Sequence, residues 1–587
     1  MDVLKRIRSG IALIYFCIFL IMNSFQGFSQ QSLTSFPSDE AQFLSAFELF
    51  MQDSSKEKQK EVESFLLDFR SKWTGNFFSP EIKSQIYSLS NKMLAKKYSA
   101  LPYFPDFFGA LIHLLEKNKN DKNALEWIKA IDYYLEKRNF REFSSLLRSS
   151  DVLFTQKLIF SDRTLKWKVS SPDFVIRLEN DTLKYLYNAT DLACYSKGDS
   201  SIIKNTSGIY FPFFNYWKGK GGKIDWQRAE LHPDSVFAEF KLYSIALNNS
   251  KFSADTVLFQ NKHYFDEQIP GKLEEQVLAS RQGNKAIFPK FTSYEKRWRI
   301  DNIFPDLDFT GGIVFAGSQL LGFGDEVTPA TISIRRNDTV FVNLRSNNFI
   351  FNKNQIRSEY TSFSILHKTD SIYHSGLAMN YTKENKLLSF YREDHGLTAN
   401  PFYDTFHQIE MYVEAVYWKM DENQINFDMA IGRTKSPARF ESSNYYSENR
   451  FFRLQGIDSE NPLQSLKRYY EQQNKSKIVY FDEYAEYLRM PLEQTKLLLL
   501  SLAHQGFLLY DATYGRAILG DKIDFYLKAN LGETDSDVIR FESRPHANEP
   551  NATLRISDFG LQINGLDRII LSDSQNLVIE PKNRNIV

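Results

Sequence analysis

Disulfides, one-signed charge, metal-ligand spacings and a second long apolar run are all missing from this 587-residue chain. It has two cysteines, and Cys17 lies in a segment expected to be removed, so with Cys194 alone no intramolecular disulfide can form. A core of this size needs no bridges, and a lone thiol reads as a small packed apolar residue. The 72 basic residues equal the 72 acidic ones. Such a balance supplies no basic face for nucleic acid and little attraction to anionic lipid. The nine histidines fall into no ligand spacing, and no His-Glu-x-x-His occurs. His367 and His374, seven apart, would point to opposite faces of a continuous strand. Phosphate-loop and nucleophile-elbow patterns are absent. Gly322-Phe323-Gly324 lacks the third glycine and following helix of a dinucleotide site. No metal and no cofactor are expected.

The single apolar run, Ile11 to Met22, follows Lys5, Arg6 and Arg8 and precedes Gly27-Phe28-Ser29. Its twelve residues are too few to span a bilayer, which takes roughly 20, and its flanks match a secretory leader. Residues 1–29 are therefore expected to be a signal peptide, with the mature chain beginning at Gln30. The leader carries Lys5, Arg6, Arg8 and one acid, Asp2, which leaves 69 basic and 71 acidic residues of the original 72 and 72. Export to the periplasm, or to the outer membrane or cell surface, is expected. No transmembrane helix is expected in the mature chain.

Hydrophobic content of 42%, with 15% aromatic, argues for folded material throughout. Apolar residues recur at helical spacing from Ser38 to about Phe160: Phe43, Phe47, Phe50 and Met51 form one stripe, and Ser79-Pro80-Glu81 opens another helix. Near Thr164 the period drops to two. Leu165, Trp167 and Val169 alternate with polar residues, and Asn337-Asp338 and Lys383-Glu384-Asn385 mark hairpin turns. Glycines at 219, 221, 222, 311, 312, 317, 322 and 324 read as bends and bulges.

Helical signals return between 460 and 530, followed by a hairpin through Phe507–Tyr510 and Ala517–Leu519. That order resembles a winged helix in pattern. The would-be recognition helix, Leu492–Gln505, has one strong base, Lys496, and four successive leucines, Leu497 to Leu500. It is expected to be buried on more than one side, unlike a groove-reading helix. The predicted fold class is multidomain α+β. A helical bundle or short α-solenoid (38–160) precedes a long antiparallel β-rich body (164–455). An inserted winged-helix-like domain (460–530) and a β-array (537–587), which ends as if the natural chain continued, complete it.

Asp404, His407, Glu410 and Glu414, followed by Tyr417-Trp418, form the one catalytic candidate. Sugar hydrolysis uses two carboxylates about 5–9.5 Å apart. On a helix Glu410 and Glu414 would be one turn apart; on a strand, roughly 13 Å. Trp217, in the aromatic run 210–217, joins Tyr417 and Trp418 as a candidate binding platform.

Trp217-Lys218-Gly219-Lys220-Gly221-Gly222 with Trp226, Asp308-Phe309-Thr310-Gly311-Gly312, Asp370-Ser371-Ile372-Tyr373-His374 and Leu571-Ser572-Asp573-Ser574-Gln575 resemble a family of very large exported Bacteroidota proteins with no assigned activity. The resemblance implies an envelope location and a longer chain, and carries no catalytic residue. Three readings follow. The first is a non-enzymatic envelope scaffold or binding protein, with envelope proteins, a glycan or a lipid as partners and no nucleic acid. The second is a secreted carbohydrate-active hydrolase using Asp404, Glu410 and Glu414. The third is a β-groove conducting lipid.

Overall fold

A computed structural model describes residues 33–53, 59–118, 120–277, 286–392, 400–429, 437–456, 460–511, 514–546, 548–572, 577–582 and 584–585. The expected leader at 1–29 lies outside them. The fold is mixed α+β, 29% helix and 41% strand, with eleven helices among the described residues. None of these helices is long and apolar enough to cross a membrane. The chain divides into two compact units: Met1–Ile224 with Glu239–Ala254 and Gln276–Ser280, and Asp225–Ala238 with Asp255–Glu275 and Arg281–Val587.

The first unit opens with six helices: Glu40–Asp53, Gln59–Thr74, Pro80–Ala95, Tyr103–Asn118, Asp121–Lys137 and Phe140–Gln156. Side-chain oxygens of Ser79, Asn120 and Asn139 accept the free N–H groups at three helix starts. The core is aromatic. Phe47 meets Phe43, Phe69, Phe104 and Phe108 at ring-centroid distances of 5.1–5.9 Å. The expected boundary near 160 does not separate domains, because the last two helices pack on the strands that follow. Tyr134 Oη accepts the Leu183 N–H and donates to the Asp181 carbonyl, both at 3.0 Å, and Phe154 stacks on Phe174. The antiparallel strands Leu158–Ser161, Leu165–Val169, Thr182–Ser196, Asp199–Phe211, Tyr216–Lys220 and Leu242–Ala246 pair in that order. Leu165, Trp167 and Val169 are buried and Lys166 and Lys168 exposed, the period-two pattern of a one-sided sheet.

Some glycines expected as bulges serve another purpose. A Cβ on Gly219 would lie 2.1 Å from the Tyr243 ring, and one on Gly322 2.4 Å from Phe309. These positions are seats for aromatic rings within regular strands.

The second unit is a two-layered β-sandwich. Three long strands, Leu307–Ala316, Gln355–His367 and Asp370–Thr382, give one half to each layer. One layer continues through Phe402–Asp404, Ile409–Tyr412, Ala438–Ser442, Arg540–Ser543 and Leu566–Ser572. The other continues through Leu387–Tyr391, Ala415–Lys419, Gln424–Asp428, Ala552–Arg555 and Leu561–Ile563. Rings from the two layers meet inside, Phe363 on Phe390 at 4.4 Å and Phe402 on Phe427 at 5.8 Å. Buried side chains of both layers thus pack against one another at these positions. The Asn337-Asp338 turn has φ of 51° and 59°, as a tight hairpin of matching twist requires.

Strands after 537 pair with one another and also with strands at 424–442, so they extend the sandwich. The helical module is thus an insertion between two neighbours, Ala438–Ser442 and Arg540–Ser543. It contains the expected helices Pro462–Gln472, Phe481–Leu488 and Leu492–Ala503 and the hairpin Leu508–Asp511/Arg516–Leu519. Sequence periodicity missed the short helices Glu448–Gln455 and Lys522–Asn530 and the strand Ile478–Tyr480, which completes a three-stranded sheet. Helices of eight or nine residues show too few turns to register a period. The helix Leu492–Ala503 departs from expectation. It buries one face, with Thr495, Leu499, Leu502 and Ala503, while Leu497 is 66% exposed. Its base, Lys496, pairs with Glu493 at 2.8 Å.

Candidate functional site

The stretch 402–419 is extended, so the helical geometry that would set Glu410 beside Glu414 does not arise. Ile409–Tyr412 pairs in one layer of the sandwich and Ala415–Lys419 in the other, with Glu414 at the bend between them. Each acid has a different setting. Asp404 is buried at the end of its strand. One oxygen accepts the N–H groups of Phe406 and His407 at 3.0 Å, and the other meets His407 Nδ1 at 2.6 Å. This is the arrangement of a side-chain-stabilised turn, and it sets the hairpin that positions Glu410. Glu414 donates its backbone N–H to Asp428 and accepts that of Arg392, which fixes the bend.

Glu410 is buried, and its carboxylate meets Lys522 Nζ at 2.5 Å and accepts the Tyr412 hydroxyl at 2.8 Å. Directly opposite on the neighbouring strand stands Glu441, which the sequence reading did not single out. Side chains so paired have Cβ atoms about 4.5–5.5 Å apart, and like charges there repel. Each acid carries its own cation. Arg450 donates to both oxygens of Glu441 at 3.0 and 2.5 Å, and Arg439 Nε lies 3.2 Å away. Burial alone would raise the Glu441 carboxyl. The hydrogen-bonded Arg450 guanidinium, with Arg439 and Lys522 behind it, brings it down to about 2. Arg439 also lies 3.7 Å over the Tyr412 ring. Burial, with Glu410 and Glu441 beside it, lifts the Tyr412 phenol well above its ordinary range.

Arg450 belongs to the first helix of the module and Lys522 to its last. The facing acids therefore clamp both ends of the insertion to one sheet. The backbone repeats this clamp: Tyr446 N–H donates to the Asp537 carbonyl and Asp537 N–H to that of Asn444, each at 2.8 Å. Asn400 adds a third attachment through its side-chain amide to the Leu508 carbonyl at 2.6 Å. Its own carbonyl lies 2.8 Å from His374 Nε2. Burial, and secondarily the charge of Arg392, lowers His374 to about 3, so the ring is neutral.

An open cleft of about 400 Å3 lies over the clamp, where Glu410 and Lys522 meet Tyr373, Tyr403 and Phe525. Tyr373 and Tyr403 stack at 5.2 Å. The predicted aromatic neighbours are elsewhere. Tyr417 packs against Tyr391, and burial lifts its phenol to about 12. Trp418 is buried against Phe341, and Trp217 is buried in the first unit with its indole N–H on Tyr243 Oη at 3.3 Å. Among the described residues, no three His, Cys, Asp or Glu side chains are grouped to hold a metal. No protein-family model, curated protein or solved structure matches this chain.

Proposed function

We propose that the protein is an exported, non-enzymatic binding scaffold of the cell envelope, in which a β-sandwich presents a winged-helix-like module as a contact domain. The observation that supports this reading is the use of Glu410 and Glu441 as anchors. Each acid is neutralised by its own module cation, Lys522 or Arg450, and a carboxylate engaged in a buried ion pair is withheld from substrate. The leader-like residues 1–29 and the resemblance to large envelope proteins support the location. Ring pairs that cross between the layers, Phe363 on Phe390 and Phe402 on Phe427, favour a scaffold over a lipid conduit, which needs a continuous apolar channel.

A hydrolase remains the second reading. One observation favours it, the location of Glu410 in a cleft with two stacked tyrosines and a facing carboxylate. The deciding experiment incubates the mature protein with a panel of polysaccharides and peptides and follows new reducing ends and amines. The expected result is no turnover. Turnover that Glu410→Gln abolishes, in a variant with an unchanged circular dichroism spectrum, overturns the scaffold reading. Amino-terminal sequencing of the exported protein, expected to begin at Gln30, tests the location.

A further inference from the structure

The outward face of the first unit's sheet holds an open groove of about 780 Å3. Strand register gives its floor. Leu158, Lys168, Ala193 and Ile202 are successive cross-strand neighbours, and Ser161, Lys166, Tyr195 and Ser200 form the next row. Lys157, at the end of the preceding helix, adds a third cation at the wall and donates to the Ser170 carbonyl at 2.7 Å. The one acid lining the groove, Asp191, already accepts the Asn205 N–H.

Lys166 and Lys168 are exposed, and among the described residues neither meets a carboxylate. Other lysines of the chain are engaged: Lys92, Lys184, Lys296 and Lys386 each meet an acid within 3.1 Å. Two strand positions apart, Lys166 and Lys168 offer charges spaced by roughly 7 Å. Beside them is an apolar shelf, with Tyr195 42% and Ile202 37% exposed and small Ala193 between Lys168 and Ile202. The groove therefore suits a ligand with repeated anionic groups and a flat apolar face.

We propose that this groove binds an acidic polysaccharide, its anionic groups on Lys166 and Lys168 and a sugar ring on Tyr195. A pyranose has a C–H face that lies on an aromatic ring, while its carboxylate or phosphate meets an ammonium, which recognises charge without demanding one geometry. An acidic peptide supplies the charges without the flat ring. The proposal rests on the binding-scaffold reading and names its ligand class.

Calorimetric titration of the whole mature chain tests it, with polygalacturonate and a phosphorylated polysaccharide as probes and dextran and poly-glutamate as controls. At least one acidic polysaccharide is expected to bind, with affinity falling as salt rises, and dextran is not. Lys166→Gln with Lys168→Gln is expected to weaken binding roughly tenfold, and Tyr195→Ala several-fold, both with unchanged melting curves. Failure of both acidic polysaccharides to bind overturns the proposal. So does poly-glutamate binding equally well and indifferently to Tyr195→Ala, or polysaccharide binding that survives the double lysine substitution. New reducing ends during the titration would defeat the non-enzymatic reading alone, and the lysine variants would still decide the groove.

Discussion

The two helical regions of this protein are held by opposite means. Helices between Glu40 and Gln156 share an aromatic core, and ion pairs such as Arg70 with Glu48 lie at their surface. The module between Glu448 and Asn530 has an apolar core of its own, including Leu466, Leu499 and Phe507. Its attachment to the sandwich runs through buried charge: Arg450 on Glu441 and Lys522 on Glu410. Apolar packing is non-directional and tolerates shape-conserving exchange, whereas buried ion pairs fix one orientation and are intolerant of losing a partner.

Loss of one clamp partner is expected to have the largest effect. Arg450→Met leaves Glu441 buried without its main cation and is expected to cost about 3–5 kcal/mol in urea denaturation, with new protease cuts at the module's ends. Glu410→Met alone should be similarly harmful, while Glu410→Met with Lys522→Met should recover most of the loss. A double variant as weak as the single one would show that the pair itself stabilises the fold and would undo the contrast.

Phe47→Ala is expected to cost about 3–5 kcal/mol through the cavity it leaves among four rings, and Phe47→Leu under about 1.5. No second substitution is expected to rescue Phe47→Ala, which sharpens the difference from the charged clamp.

Acid should act on the module's attachment in two windows. Folded His374 resists protonation down to about 3 against an ordinary 6.5, so its stabilising contribution is complete above 6.5 and declines as pH falls toward 3. Folded Glu441 stays ionised to about 2 against an ordinary 4.5, so its contribution is complete above 4.5 and is lost as pH falls toward 2. Urea midpoints measured across this range should slope in both windows, and His374→Asn should remove the slope between 6.5 and 4.5 and lessen it from there to 3, where the windows overlap. The smallest effect is expected at the surface: Arg70→Ala should leave the melting temperature within experimental error.

Much of the fold was legible because burial is periodic. Phe43, Phe47 and Met51 at helical spacing, and Leu165, Trp167 and Val169 at alternate positions, announced their elements, and Asn337-Asp338 announced its turn. The candidate site was half legible. Asp404 and Glu410 were singled out as acids in an aromatic setting, and the structure buries both. His407, the partner of Asp404, stood in the same cluster, but the neighbours of Glu410 were not legible, because Glu441 faces it only through strand register and Lys522 arrives from 112 residues away. The run Leu497–Leu500 misled for a related reason: composition does not show which side of a helix meets a core, and Leu497 points outward.

By itself the amino-acid order determined where the longer helices and most strands form, since spacing of apolar side chains along a few turns or pleats is a local property. Only the tertiary structure decided that the last strands rejoin the sandwich, that the module is an insertion clamped at both ends, and that three lysines share one groove. Those outcomes depend on hydrogen-bond register and on charges meeting across long loops, and neither is written into any short stretch of chain.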